Sequence, residues 1–187
     1  MKYFKSCVMI VFVIVFFSGF WSGKSDSSLR AERVETNQKT LNILYKYAPK
    51  ARRMIEGAYG YATFANLGVN LILFSAEGGK GLAHNNRTGR NIYMNMASGG
   101  VGFGLGIKDF RIIFIFENKK VFDNFVNHGW EANAQADAAA KLGKDGGAVN
   151  AAITVEPGVR IYKLTKNGLA LQATIQGTKY WRDQDLN

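Results

Sequence analysis

Glycine at every second position, over Gly100, Gly102, Gly104 and Gly106, constrains this chain more than any other feature. Side chains along a strand alternate between its two faces. These four glycines therefore share one face, and Val101, Phe103, Leu105 and Ile107 share the other. The second face is ordinary core. The first is nearly bare backbone, so a second sheet layer, a bulky side chain or a ligand can approach closely. A solid apolar run, Ile112 to Phe116, comes next. A short helix capped by Asn118 follows, Lys119 to Val126, and then Trp130, Glu131 and, further on, Asp137. The glycine spacing rejects a dinucleotide fingerprint, which needs glycine at the first, third and sixth places. Counted from Gly102, the sixth place is Ile107. A Walker-type phosphate loop is absent from the sequence.

The rest of the chain reads as partners for this block. Tyr59 to Phe64 and Val69 to Phe74 read as strands around a turn at Asn66-Leu67-Gly68. Glu77-Gly78-Gly79-Lys80-Gly81 reads as a turn or bulge. Leu82 to His84 and Asn91 to Ala97 flank a hairpin loop at Asn85 to Gly89. Gly100 to Ile107 and Phe110 to Phe116 form a pair around Lys108-Asp109. Further strands are expected at Ala132 to Ala138, Ala148 to Val155, Val159 to Lys163 and Ala170 to Ile175, with hairpin turns at Pro157-Gly158 and Asn167-Gly168. Short connections between many strands predict an antiparallel, strongly curved sheet, either a sandwich or a partly closed barrel that hides its edges. The fold class is thus α+β and mainly β, with basic amphipathic helices at the N-terminus.

Three segments follow from composition. Residues 1–25 carry Lys2 and Lys5 before the apolar run Val8 to Phe17, a signal-peptide pattern; an uncleaved membrane anchor is the alternative. Residues 26–57 form the basic helical segment, with one helix from Ser27 or Ser28 to Tyr47 and a second from Pro49, at the first helical position, to Glu56. Leu41, Leu44, Tyr45 and Ala48 fall on one face of the first. Residues 58–187 are the strand-rich domain. The single cysteine, Cys7, lies in the leader, so the body holds no disulfide and no thiolate nucleophile.

Net charge is +10, which favours anionic partners: membrane lipid, nucleic acid or an acidic protein. From Lys24 to Arg53 there are eight Lys or Arg and three acids, with Lys46, Lys50, Arg52 and Arg53 at the end. A basic helix of this kind can lie on an anionic membrane. It can equally dock an apolar stripe on the sheet and leave its charges in solvent. Lys80, Arg87, Arg90 and Tyr93 could face nucleic acid, but export argues against that partner.

No chemical constellation competes. His84 and His128 stand far apart and make no ligand set. Glu131 and Asp137 are six residues apart, and a buried Glu131 capping backbone donors near Trp130 is the expectation. Ser75 and Ser98 lack a nucleophile-elbow context. Trp130 reads as a core anchor. No enzyme, metal or cofactor is expected.

The succession of Glu77-Gly78-Gly79-Lys80-Gly81, Gly100-Val101-Gly102-Phe103-Gly104, the Phe-rich strand, and Trp130-Glu131-Ala132 with Asp137 resembles the SYLF domain family, over about Leu41 to Trp181. These are lipid-binding, actin-regulator-like domains of bacteria and eukaryotes. The resemblance implies an exported bacterial protein, periplasmic or secreted, that meets anionic phospholipid through Lys46, Lys50, Arg52, Arg53, Lys80, Arg87 and Arg90. It implies as the alternative a protein-interaction module with an envelope partner. Gly100, Gly102, Gly104, Gly106, Trp130, Glu131 and Asp137 would carry the structural motif. Bacterial members resemble lipoproteins, but here Phe17-Ser18-Gly19 is followed by Phe20 instead of a cysteine, which removes lipidation.

Overall fold

The computed structural model describes residues 24–66, 75–100, 110–132, 152–165, 168–169 and 178–187. Among the described residues two helices come first, α1 (Asp26–Tyr47) and α2 (Ala51–Gly57). Then come β1 (Gly60–Asn66), β2 (Ser75–Asn85), β3 (Asn91–Gly100), β4 (Phe110–Phe116) and α3 (Lys119–His128). The chain ends with β5 (Trp130–Glu131), β6 (Ile153–Glu156), β7 (Val159–Thr165), β8 (Gly168–Leu169) and β9 (Thr178–Arg182). Among the described residues all pairings are antiparallel, in the order β5-β9-β3-β2-β1-β4-β7-β6, with β8 beside β7.

The sheet curls into a partly closed barrel, the second of the two expected forms. Tyr180 on β9 lies four strands from Phe114 on β4, about 19 Å across a flat sheet at the usual strand spacing. Yet their ring centroids are 4.9 Å apart. Curling also brings the two ends of the path together, where Trp130 Nε1 on β5 donates to Glu156 Oε1 on β6 at 3.2 Å.

Alternation along the central strands fills both faces. Ile112, Phe114 and Phe116 point into the curl with Phe64, Met94, Met96 and Tyr180, and α3 closes this core with Phe122, Phe125 and Val126. Ile113 and Ile115 point the other way, to Leu44, Ala48, Ala51 and Ile55 of α1 and α2. A strand covered on both faces has no polar side, which is why β4 reads as an unbroken apolar run from Ile112 to Phe116. The helical segment therefore shares a core with the sheet. Asn118 caps α3 as expected, its side chain accepting from Val121 N at 3.2 Å.

Several expectations are corrected. Glu77 to Gly81 is the interior of β2, not a turn. Gly79 and Gly81 face the inner core, where an added Cβ would lie 2.3 Å from Met96 Cε and 2.2 Å from Phe64 Cδ1. This part of β2 is a bare strand face filled by large side chains. Gly100 closes β3 opposite Ser75 and does not open a new strand. Gly102, Gly104, Gly106 and Asp137 lie outside the described residues, as do most of the strands expected at Val69 to Phe74, Gly100 to Ile107, Ala132 to Ala138 and Ala170 to Ile175. Pro49 sits in the turn before α2, which starts at Ala51. The strand β9 was not anticipated.

Gly129 ends α3 at φ +77°, and a Cβ there would meet the Tyr180 carbonyl oxygen at 2.5 Å. Gly129→Ala is expected to destabilise the fold by about 1–3 kcal/mol, read as a lower urea midpoint with unchanged slope.

Candidate functional site

Two polar regions stand out, one at the hairpin end of β2 and one at the middle of that strand. The first is basic. The β2–β3 hairpin docks on the C-terminal end of α2: Asn86 Nδ2 donates to the carbonyls of Ile55 (2.6 Å) and Ala58 (3.2 Å), and Arg87 Nη2 donates to that of Gly57 (3.4 Å). Free carbonyls at a helix end need such donors. The docking brings Arg87 and Arg90 to the end of the molecule that carries Lys46, Lys50, Arg52 and Arg53. All six are exposed. Among the described residues none of the six is in an ion pair. The Arg52 guanidinium lies over the Tyr45 ring, 4.4 Å from its centroid. Tyr47, 40% exposed, stands at the C-terminus of α1 in the same region.

Lys80 does not join them. It lies seven residues before Arg87 on an extended strand and donates to Asn95 Oδ1 at 3.0 Å. It lines a cleft of about 600 Å³ between the N-terminal half of α1, the β1–β2 edge and the C-terminal turn. Acids and bases mix on that lining, with Lys24, Glu32, Arg33 and Asp183 among them.

Arg33 is the buried centre of this second region. α1 does not meet the sheet through an apolar stripe along its whole length; its buried residues are Arg33, Asn37, Thr40 and Leu44. Arg33 Nη1 donates to the Met94 carbonyl at 2.8 Å, and Nη2 pairs with Asp183 Oδ2. Both side chains are under 10% exposed, at 8% and 7%. Asp183 Oδ1 accepts from the backbone N–H groups of Asp185 (3.1 Å) and Leu186 (3.3 Å), and Arg30 Nε donates to the Leu186 carbonyl at 2.9 Å. Burial pushes the Asp183 carboxyl up, but the Arg33 hydrogen bond and charge and the two backbone donors outweigh it and hold it below its ordinary value. One arginine thus fastens the first helix to the last turn of the chain. Next to it, Asn37 Oδ1 accepts from Thr63 Oγ1 at 2.9 Å, and burial pushes the Tyr61 hydroxyl up.

The motif residues fall into different settings. Trp130 is half-buried against Phe114 (5.3 Å) and Tyr180 (5.8 Å), with its N–H engaged by Glu156. Glu131 is exposed and opposite Lys179 across the ladder, so it is not the buried cap expected. The short strand turns Trp130 inward and therefore Glu131 outward. His84 Nδ1 is 2.7 Å from Asn91 Oδ1, while His128 is exposed in the last turn of α3. Burial raises the Tyr180 hydroxyl strongly, and that hydroxyl has no hydrogen-bond partner among the described residues. Among the described residues there is no group of three or more His, Cys, Asp or Glu placed to hold a metal ion, and no helix is long and apolar enough to cross a membrane.

No family model matches the chain. The resemblance to the SYLF family is corrected by the relative that is found, which carries a different name. Lipid-binding, signal-peptide and periplasmic character therefore no longer follow from family membership. The relative is Beta cell expansion factor A of Aeromonas veronii, 38% identical over 143 residues; the chain is similar to it over 76% of its own length and spans about half of that protein, 53%.

Proposed function

We propose that this protein is a secreted, non-enzymatic factor that settles on anionic phospholipid surfaces through the basic end formed by α1, α2 and the β2–β3 hairpin. The charge distribution of the molecule supports this reading. One observation carries it: six exposed cations from three parts of the chain are gathered by the hairpin docking, without an ion pair among them in the described residues. Charges neutralised within the molecule would gain little from a membrane. Unpaired ones contribute about 1 kcal/mol each near an anionic leaflet. Tyr47 supplies an amphipathic ring of the kind that favours the membrane–water interface.

The test is co-sedimentation of the full chain with phosphatidylglycerol-rich and with pure phosphatidylcholine vesicles, at low and high salt. Binding only to the anionic vesicles, lost as salt shortens the screening length, is the expected result. Equal binding to both, or to neither, rejects the proposal and directs attention to a protein partner.

A further inference from the structure

A second hollow, of about 320 Å³, opens where the end of α3 meets β9 and the C-terminal turn. Its lining includes Trp181, Asn95, Asn127, Gln184 and Asp185. Alternation along β9 buries Tyr180 and turns Trp181 outward, leaving it 38% exposed. An exposed indole is an apolar plate with a negatively charged π face. Around it stand three amides, with His128, Arg182 and Asp185 beside them. The side chains of Asn127 and Gln184 are exposed and without a hydrogen-bond partner among the described residues. Each amide both donates and accepts. The exposed Asp185 carboxylate adds an acceptor. Charge nearly cancels: Arg182 offsets Asp185, and Asp183 below is already paired with Arg33.

These features select a ligand. It has one apolar face, for the indole. It carries hydroxyls, which like the amides donate and accept at once. It needs no charge of its own, since Arg182 and Asp185 already balance each other on the lining. Its size suits the small end of the ligand-pocket range. A pyranose fits all four: its axial C–H bonds present a positive edge to the π face, and its equatorial hydroxyls reach the rim. We propose that this hollow is a saccharide site, in which an uncharged pyranose stacks on Trp181 and is held by Asn127, Gln184 and Asp185.

Saturation-transfer NMR on the full chain tests this, with glucose, galactose, mannose, N-acetylglucosamine and their disaccharides, and with glucose 6-phosphate as the charged comparison. At least one uncharged sugar is expected to bind saturably in the millimolar range. Trp181→Ala should weaken it by about tenfold or more, which corresponds to one stacking contact, while Trp181→Phe retains most of the affinity. Arg52→Glu with Arg53→Glu, away from the hollow, should leave sugar binding unchanged. Melting curves check that each variant is folded, and the half-exposed position of Trp181 makes this the expected outcome. Failure of every sugar to bind overturns the proposal. So does binding of glucose 6-phosphate alone, or equal sugar affinity in a folded Trp181→Ala variant.

Discussion

Replacing Arg33 with alanine will lower stability by about 3–5 kcal/mol, because it leaves the Asp183 carboxylate buried without its counter-charge. For a chain of this size each kcal/mol moves the melting temperature by about 2–4 °C, so a fall of about 6–20 °C is expected. The loss is larger than a surface ion pair would give, since exposed pairs contribute at most about 1 kcal/mol. Arg33 also serves the Met94 carbonyl, so the variant strands an acceptor on β3 as well as an anion in the C-terminal turn. The pair sets an acid limit too. The folded-state Asp183 carboxyl titrates below its ordinary 3.8. Its contribution is therefore complete above that value and is lost as pH falls through the lower, folded-state value. In Asp183→Asn this acid dependence should disappear from the urea midpoint, at the cost of lower stability near neutral pH. A parental pH profile with no acid slope would show that the pair does not act this way.

Phe114→Ala is expected to cost about 3–5 kcal/mol. Phe114 is the ring on which the curl of the sheet converges. Its centroid lies 4.9 Å from Tyr180, 5.0 Å from Phe125, 5.3 Å from Trp130, and 6.0 Å from both Phe64 and Phe116. These partners come from β9, α3, β5, β1 and β4 itself, so the cavity would open where distant strands meet. Denaturant unfolding gives the stability, and near-UV circular dichroism should lose intensity, because three of the neighbours are Trp130, Tyr180 and Phe125. A loss below about 1 kcal/mol, with the aromatic signal intact, would mean that the barrel is not closed over this ring.

How far these features are legible in the sequence differs by element. The strand β4 is found to the residue, since an apolar run buried on both faces and bounded by turn residues allows little else. Asn118 before α3 and Pro157-Gly158 before β7 act locally, so spacing reveals them. The β2 glycines mislead, because a Gly-Gly pair reads as a turn until Phe64 and Met96 are known to need the space. Arg33 is missed for a related reason. A helix face is sought among apolar side chains, whereas Arg33, Asn37 and Thr40 precede Leu44 on the buried face of α1. The spacing was there, but the partner that makes a buried arginine tolerable lies 150 residues away. The basic residues are legible one by one. Four of them, Lys46, Lys50, Arg52 and Arg53, also group in the sequence; that the hairpin docking adds Arg87 and Arg90, and that strand geometry sends Lys80 to the cleft, is not legible there.

That division allows the most direct test of the proposed membrane face. Binding of the full chain to phosphatidylglycerol-rich vesicles would be titrated for Arg52→Glu with Arg53→Glu and, separately, for Lys80→Glu. Reversal on α2 is expected to abolish binding, and reversal in the cleft to leave it close to the parent. Equal loss in both variants, or retention in the α2 variant, would contradict the proposed face.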